Sequence, residues 1–202
     1  MESINPYAIY DTLFVGDKLQ RYIGDFNSSE VQLFCYFSCL LSLYEGNPTS
    51  FWGYKFIKND LGVPLSTDVY NALDCLLRNN ELEKIDNYYQ ITSEGKSKCN
   101  ILSELGRFEN RNKYLEVACE SLLALPIGYI RNSIISDPIV RAANNSSVRT
   151  LVDEENGAVA LLYDQFELLK EAINSQDADL FVPAVTWLKY LQLPKEVNQD
   201  AE

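Results

Sequence analysis

Apolar residues recur at helical spacing along nearly the whole chain, and one short stretch departs from that pattern. Val31, Phe34, Cys35, Phe37, Cys39, Leu40, Leu41, Leu43 and Tyr44 wrap most of a helix circumference, as in a buried central helix. Ser28-Ser29-Glu30 offers a capping hydroxyl and an early acid at its start. Gly46-Asn47-Pro48 stops it, through a permissive glycine and a proline without a backbone donor. Residues 49–59 read as a second helix with Phe51, Trp52, Phe56 and Ile57 inward and with Tyr54 and Lys55 outside. After a turn at 61–64, Ser66-Thr67-Asp68 opens a third helix whose Val69, Leu73, Leu76 and Leu77 share one face. Upstream, residues 5–25 carry Ile9, Leu13, Phe14, Leu19, Tyr22 and Ile23, the pattern of a short helix or two with breaks at Gly16 and Gly24.

The departure is LEKIDNYYQITSEG, residues 82–95. Two β-type runs flank the turn-forming pair Asp86-Asn87, so a hairpin is expected, with Leu82, Ile85, Tyr89 and Ile91 inward. A lone hairpin is marginal in water, and this one gains support by leaning on the third helix. Thr92-Ser93-Glu94-Gly95 then starts another helical stretch. The order helix, helix, turn, helix, two-stranded wing, helix is the layout of a winged helix-turn-helix. From 108 onward the period is helical again, interrupted at Pro126 and Gly128, at Asp137-Pro138 and at the loop 144–147. Helices are expected over 157–174 and across DLFVPAVTWLKYLQL, with no second hairpin between 111 and 191. The expected fold class is therefore mainly α with a small β-hairpin wing. Its parts are an N-terminal helical arm (1–27), a winged helix-turn-helix domain (28–108), a helical C-terminal region (109–193) and a flexible tail (194–202).

Composition narrows the chemistry. The chain has no histidine, which removes Ser-His-Asp and Cys-His nucleophiles, histidine bases and histidine metal ligands. No phosphate-binding glycine loop or nucleophile elbow occurs. The five cysteines have no regular spacing, and Cys35 and Cys39 lie on an apolar helix face where free cysteine behaves as a small hydrophobe. These features argue against an enzyme, a metal or a cofactor. No apolar run is long enough to span a bilayer, and the N-terminus lacks the basic flank and apolar core of a signal peptide. A cytoplasmic protein without membrane contact is the expectation.

Net charge is −12, distributed as −6 over 1–110, +2 over 111–150 and −8 over 151–202. A protein that neutralises phosphates by itself normally shows the opposite balance. In a DNA-reading winged helix the third helix enters the major groove. Its solvent-facing positions here are Ser66, Thr67, Asp68, Tyr70, Asn71, Asp74 and Arg78. Asn71 suits adenine, but Asp68 and Asp74 would meet phosphates. The face is better suited to a protein partner, with Asp68, Tyr70, Asn71, Asp74 and Arg78 as candidate contacts. Arg107, Arg111, Lys113, Arg131, Arg141 and Arg149 are the candidates for a basic surface toward nucleic acid or a partner.

Three segments, VQLFCYFSCLLSLY, SFWGYKFI and STDVYNALDCLLRNNELEKIDNYYQITSEGKSKC, together resemble the winged-helix middle component of bacterial ABC-three-component antiphage systems of the Lamassu-like, SMC-associated kind. The resemblance covers about half the chain. It implies a non-catalytic adaptor subunit between an SMC- or Rad50-like ATPase and an effector subunit, meeting DNA only indirectly through the complex, and it carries over no catalytic residue. The alternative is a winged-helix DNA-binding transcriptional regulator.

Overall fold

A computed structural model describes residues 4–147, 149–153, 157–173 and 179–193. The chain begins with helix α1 (Pro6–Ile23). The Asn5 side chain accepts the Tyr7 amide at 3.0 Å, Pro6 fills the first turn where no donor is needed, and Gly24 closes the helix at φ +82°. The break expected at Gly16 is absent. A Cβ there would lie 2.8 Å from Phe26 and 2.9 Å from Ile91, so this glycine serves close packing inside one continuous helix. From Pro6 on, the N-terminal segment joins the common core through Tyr10, Leu13, Val15 and Leu19.

Helix α2 (Ser28–Tyr44) is buried from Glu30 to Tyr44, as its all-round apolar pattern requires. Its cap is Asn27 rather than Ser28. The Asn27 side chain accepts the Glu30 amide at 3.1 Å, and the Glu30 carboxylate accepts the Asn27 amide at 2.8 Å, a reciprocal capping box. The second helix expected over 49–59 does not form. A 3-10 turn (Thr49–Trp52) ends at Gly53, φ +84°, and the chain continues extended into β1 (Ile57–Lys58), antiparallel to β2 (Pro64–Leu65). Beyond Gly53 the alternation of extended chain turns Tyr54 and Phe56 inward beside Trp52 of the 3-10 turn, so Tyr54 is buried where an outside position was expected. The edge of β1 is completed from far along the chain: the Lys58 amide donates to Arg149 O at 2.8 Å and the Leu151 amide to Phe56 O at 2.9 Å.

Helix α3 (Thr67–Arg78) buries Val69, Ala72, Leu73 and Leu76. Ser66, expected on the solvent face, is fully buried because the Gln32 amide group grips its backbone, accepting its N–H at 2.8 Å and donating to its carbonyl at 3.0 Å. The hairpin β3 (Leu82–Ile85) and β4 (Tyr88–Ile91) follows in the expected place, with Leu82 opposite Ile91 and Ile85 opposite Tyr88. Leu82 and Ile91 are buried, but Ile85 points to solvent near the tip. Phe26 extends this sheet by bridging to Tyr89. Helices α4 (Ser93–Ser103), α5 (Gly106–Glu120), α6 (Ile127–Ile135), α7 (Pro138–Asn144), α8 (Gly157–Ile173) and α9 (Phe181–Leu191) complete the described chain. Among the described residues 111–191 no second hairpin occurs. The tail 194–202 lies outside the described residues.

The architecture is mainly helical with two small antiparallel hairpins. α1 packs against α3, β4, α4 and α5; α2 packs against α5; α8 and α9 close the far end on α7, α6 and α5. Inside, Arg111 of α5 reaches Asp11 of α1. Its Nε and a terminal nitrogen donate to the two carboxylate oxygens at 2.9 and 2.5 Å, and its other terminal nitrogen donates to Trp52 O at 2.8 Å. The Tyr54 hydroxyl donates to Asp11 at 2.7 Å, and the Trp52 ring lies under the guanidinium with its centroid 3.9 Å away. Burial alone would lower the Arg111 pKa; the charge and hydrogen bonds of Asp11 outweigh it, so the pKa rises and the arginine stays charged. This cluster ties α1, α5 and the 49–54 segment together.

Candidate functional site

Helix α3 and the β3–β4 hairpin form one exposed surface because they pack on each other, and both rest on α1. The spacing that buries Val69, Leu73 and Leu76 turns Tyr70, Asp74 and Arg78 to solvent, with Asp68 and Asn71 half-buried at its border. Tyr70 is 61% exposed. Arg78, the only cation of the α3 face, is engaged by its own helix: its guanidinium lies 2.8 Å from the Asp74 carboxylate one turn earlier. The hairpin adds Ile85 and Tyr88 at its tip, both about half exposed, while Lys84 lies 5.6 Å from the Tyr89 ring centroid. Behind the hairpin is a cavity of about 480 Å³ between the start of α2 and the β1–β2 hairpin, lined by Asn27, Gln32, Asn59, Pro64 and Tyr88.

This surface has an exposed tyrosine, a second tyrosine and an isoleucine at the hairpin tip, the carboxylates Asp68 and Asp74 of α3 and Glu83 and Asp86 of the hairpin, an internally paired arginine and one lysine, Lys84. Aromatic and aliphatic anchors among hydrogen-bonding groups are the make-up of protein interfaces. Phosphate would find few free cations and four opposing charges.

The candidate basic surface does not assemble as expected. Arg111 is buried in the Asp11 cluster, where no partner can reach it. Lys113 pairs with Glu45, Arg131 lies 4.0 Å from Glu30, and Arg149 lies 3.6 Å from Asp60. Arg107 stands over the Phe108 ring at 5.8 Å, and Arg141 is exposed in the last turn of α7. The set is spread over α5, α6, α7 and the 149–151 segment that pairs with β1, with much of its charge answered from within the chain.

Two features had no clear signal in the sequence. The Asp11–Arg111 pair joins residues 100 positions apart. Asp137, read as the split between two helices, is fully buried and holds the start of α7, accepting the Ile139 and Val140 amides at 2.7 and 3.0 Å and the Tyr36 hydroxyl at 3.1 Å. Desolvation pushes its carboxyl up to about 7 against the pull of those hydrogen bonds. Four cysteines are buried and Cys75 is half-buried; burial raises the thiols of Cys35, Cys39, Cys99 and Cys119, which removes them from nucleophilic work near neutral pH. Among the described residues no Cys, Asp and Glu cluster is arranged to hold a metal ion, and no helix is long and apolar enough to cross a membrane. No family model matches the chain, and neither a curated protein nor a solved structure matches it.

Proposed function

We propose that this chain is a non-catalytic adaptor subunit that docks protein partners through α3 and the β3–β4 hairpin, used as a winged helix. The order α2, α3, hairpin, α4 supports the winged-helix reading, with the 3-10 turn Thr49–Trp52 and strand β1 standing where a second helix was expected. One observation carries the functional reading: the face that a DNA reader presses into the groove holds Asp68 and Asp74, and its single arginine is already bound to Asp74. Tyr70, with Ile85 and Tyr88 on the hairpin, supplies the apolar anchors that a protein partner uses. The resemblance to the middle components of SMC-associated defence systems names the partners: an SMC- or Rad50-like ATPase and an effector, with DNA reached through the ATPase. An acidic adaptor suits basic partner surfaces, raising association rate and selectivity.

The test is co-expression of the tagged chain with the products of adjacent genes. Co-purification of an ATPase, weakened by about 1–2 kcal/mol or more in Tyr70→Ala, is the expected result. The DNA-binding regulator is the competing reading. Capture of duplex by the chain alone, falling steeply between low and moderate salt, with no ATPase retained, would overturn the adaptor.

A further inference from the structure

Helices α8 and α9 enclose an open groove of about 450 Å³ whose lining is almost entirely apolar. Leu168 and Leu169 form one wall, Tyr190 and Leu193 the other, and Trp187 closes it between them. The Trp187 ring is fixed from behind, stacked on Phe37 of α2 at 6.3 Å and edge-on to Phe166 at 5.3 Å. The groove is therefore built on the central core and needs little ordering before it binds. Leu168 is 64% exposed, and Leu161, two turns earlier on the same face of α8, is also exposed. An amphipathic helix facing water normally puts polar residues there.

Charge identifies what would cover this face. Asp164 and Glu171 are exposed and flank Leu168 at i−4 and i+3, so a carboxylate row borders the leucine row. Among the described residues the ion pair of α8 is between Lys170 and Glu167, so the α8 rim of the groove is the acidic one, with Asp164 and Glu171 facing a partner; the cation of the lining, Lys189, lies on the opposite, α9 wall. A second copy of the chain is a poor occupant, since it carries the same acidic border and a net charge of −12. We infer that the α8–α9 groove docks a basic amphipathic helix of a partner protein, its apolar stripe against Leu168, Trp187 and Tyr190 and its lysines or arginines beside Asp164 and Glu171. This surface is distinct from the α3 face and stands whether or not that face serves an ATPase.

The probe is a fluorescent helical peptide of about four turns with leucines on one face and lysines elsewhere, compared with its isomer carrying glutamates for lysines, titrated against the purified chain. The lysine peptide is expected to bind at least about tenfold tighter. Leu168→Asp gives the decisive sign, because it adds a negative charge. Docking in the groove predicts about tenfold weaker binding, whereas general attraction to an acidic protein predicts unchanged or tighter binding and would overturn the inference. Asp164→Asn with Glu171→Gln is expected to weaken binding severalfold and flatten its salt dependence. All three positions are exposed, so unchanged melting confirms that the variants fold. No binding by the lysine peptide overturns the proposal, as does a dimer in sedimentation that Leu168→Asp dissociates, which would make a second copy the occupant.

Discussion

Arg111–Asp11 and Arg78–Asp74 are the same pair of functional groups in two settings. In the first, both side chains are almost wholly buried, 2% and 0% exposed, and the guanidinium spends its donors on Asp11 and the Trp52 carbonyl. In the second, both are largely exposed, 67% and 59%, and they meet across one turn of α3. Water makes the difference. In the interior, the cost of stripping two ions is offset only by complete hydrogen bonding, so removing either partner alone leaves a stranded group. At the surface, solvent competes for both ions, and the pair contributes little to stability. The buried pair therefore serves the fold and the exposed pair is free to serve recognition.

The largest effect is expected from breaking the buried member. Arg111→Ala strands Asp11 without a cation and takes from the buried Trp52 carbonyl its guanidinium donor, a loss of about 3–5 kcal/mol in urea unfolding. Asp11→Leu with Arg111→Met should recover part of it, since a well-packed apolar replacement removes the desolvation cost. If Arg111→Ala proved no worse than Arg78→Ala, burial would not be what separates the two pairs.

Next comes the join between the hairpin and α4. A Cβ on Gly95 would sit 2.1 Å from the Glu81 carbonyl and 3.0 Å from Ile91. Alanine gains up to about 1 kcal/mol of helix propensity over glycine, but displaced backbone costs more. Gly95→Ala is expected to destabilise by about 1–3 kcal/mol net, read as a lower unfolding midpoint. A stabilised variant would show that the hairpin yields freely.

Asp137 sharpens the contrast by putting one buried carboxylate under the control of pH. Its folded pKa is about 7, raised from the ordinary aspartate value by desolvation. Between those values the folded chain holds a proton that the unfolded chain releases. This contribution to stability is therefore full in acid, declines as pH rises toward 7 and is level above it. Asp137→Asn keeps a capping side chain and removes the titration. The stability of the variant relative to the parent should thus rise by about 1–3 kcal/mol from pH 4 to pH 8. A flat difference would mean that the carboxylate is ionised throughout.

The amphipathic helices and the β3–β4 hairpin were legible in the sequence because their apolar spacing is local. The 49–59 segment was not. Its aromatic run fits a helix or an extended strand equally well, and residues 95 and 93 positions further along, Leu151 pairing with Phe56 and Thr150 with Ile57, settle the choice through long-range pairing. For the candidate site, the period of α3 placed Tyr70, Asp74 and Arg78 correctly on its outer face. It misplaced Ser66, whose position is set by Gln32 of another helix. Arg111 showed no local sign of burial, since an arginine in a polar stretch looks the same whether or not an aspartate 100 residues away will face it. Leu168 and Tyr190 were legible as apolar, but whether such residues are covered depends on which helices meet.

The smallest stability effect, and the sharpest test of the comparison, is expected at the exposed pair. Arg78→Ala and Asp74→Ala remove a single i,i+4 interaction worth about 0.3–0.5 kcal/mol, and raising the salt should erase most of that. Thermal melts of the two variants and their double mutant would therefore nearly overlay the parent, with a coupling energy below about 0.5 kcal/mol. Capture of a partner should respond differently. Asp74→Ala releases Arg78 and leaves α3 less acidic, so a basic partner surface should bind more slowly, while affinity for duplex DNA should rise. A coupling above about 1 kcal/mol would mean that the surface pair also helps hold α3 in place, and the division between a buried pair for the fold and an exposed pair for recognition would no longer stand.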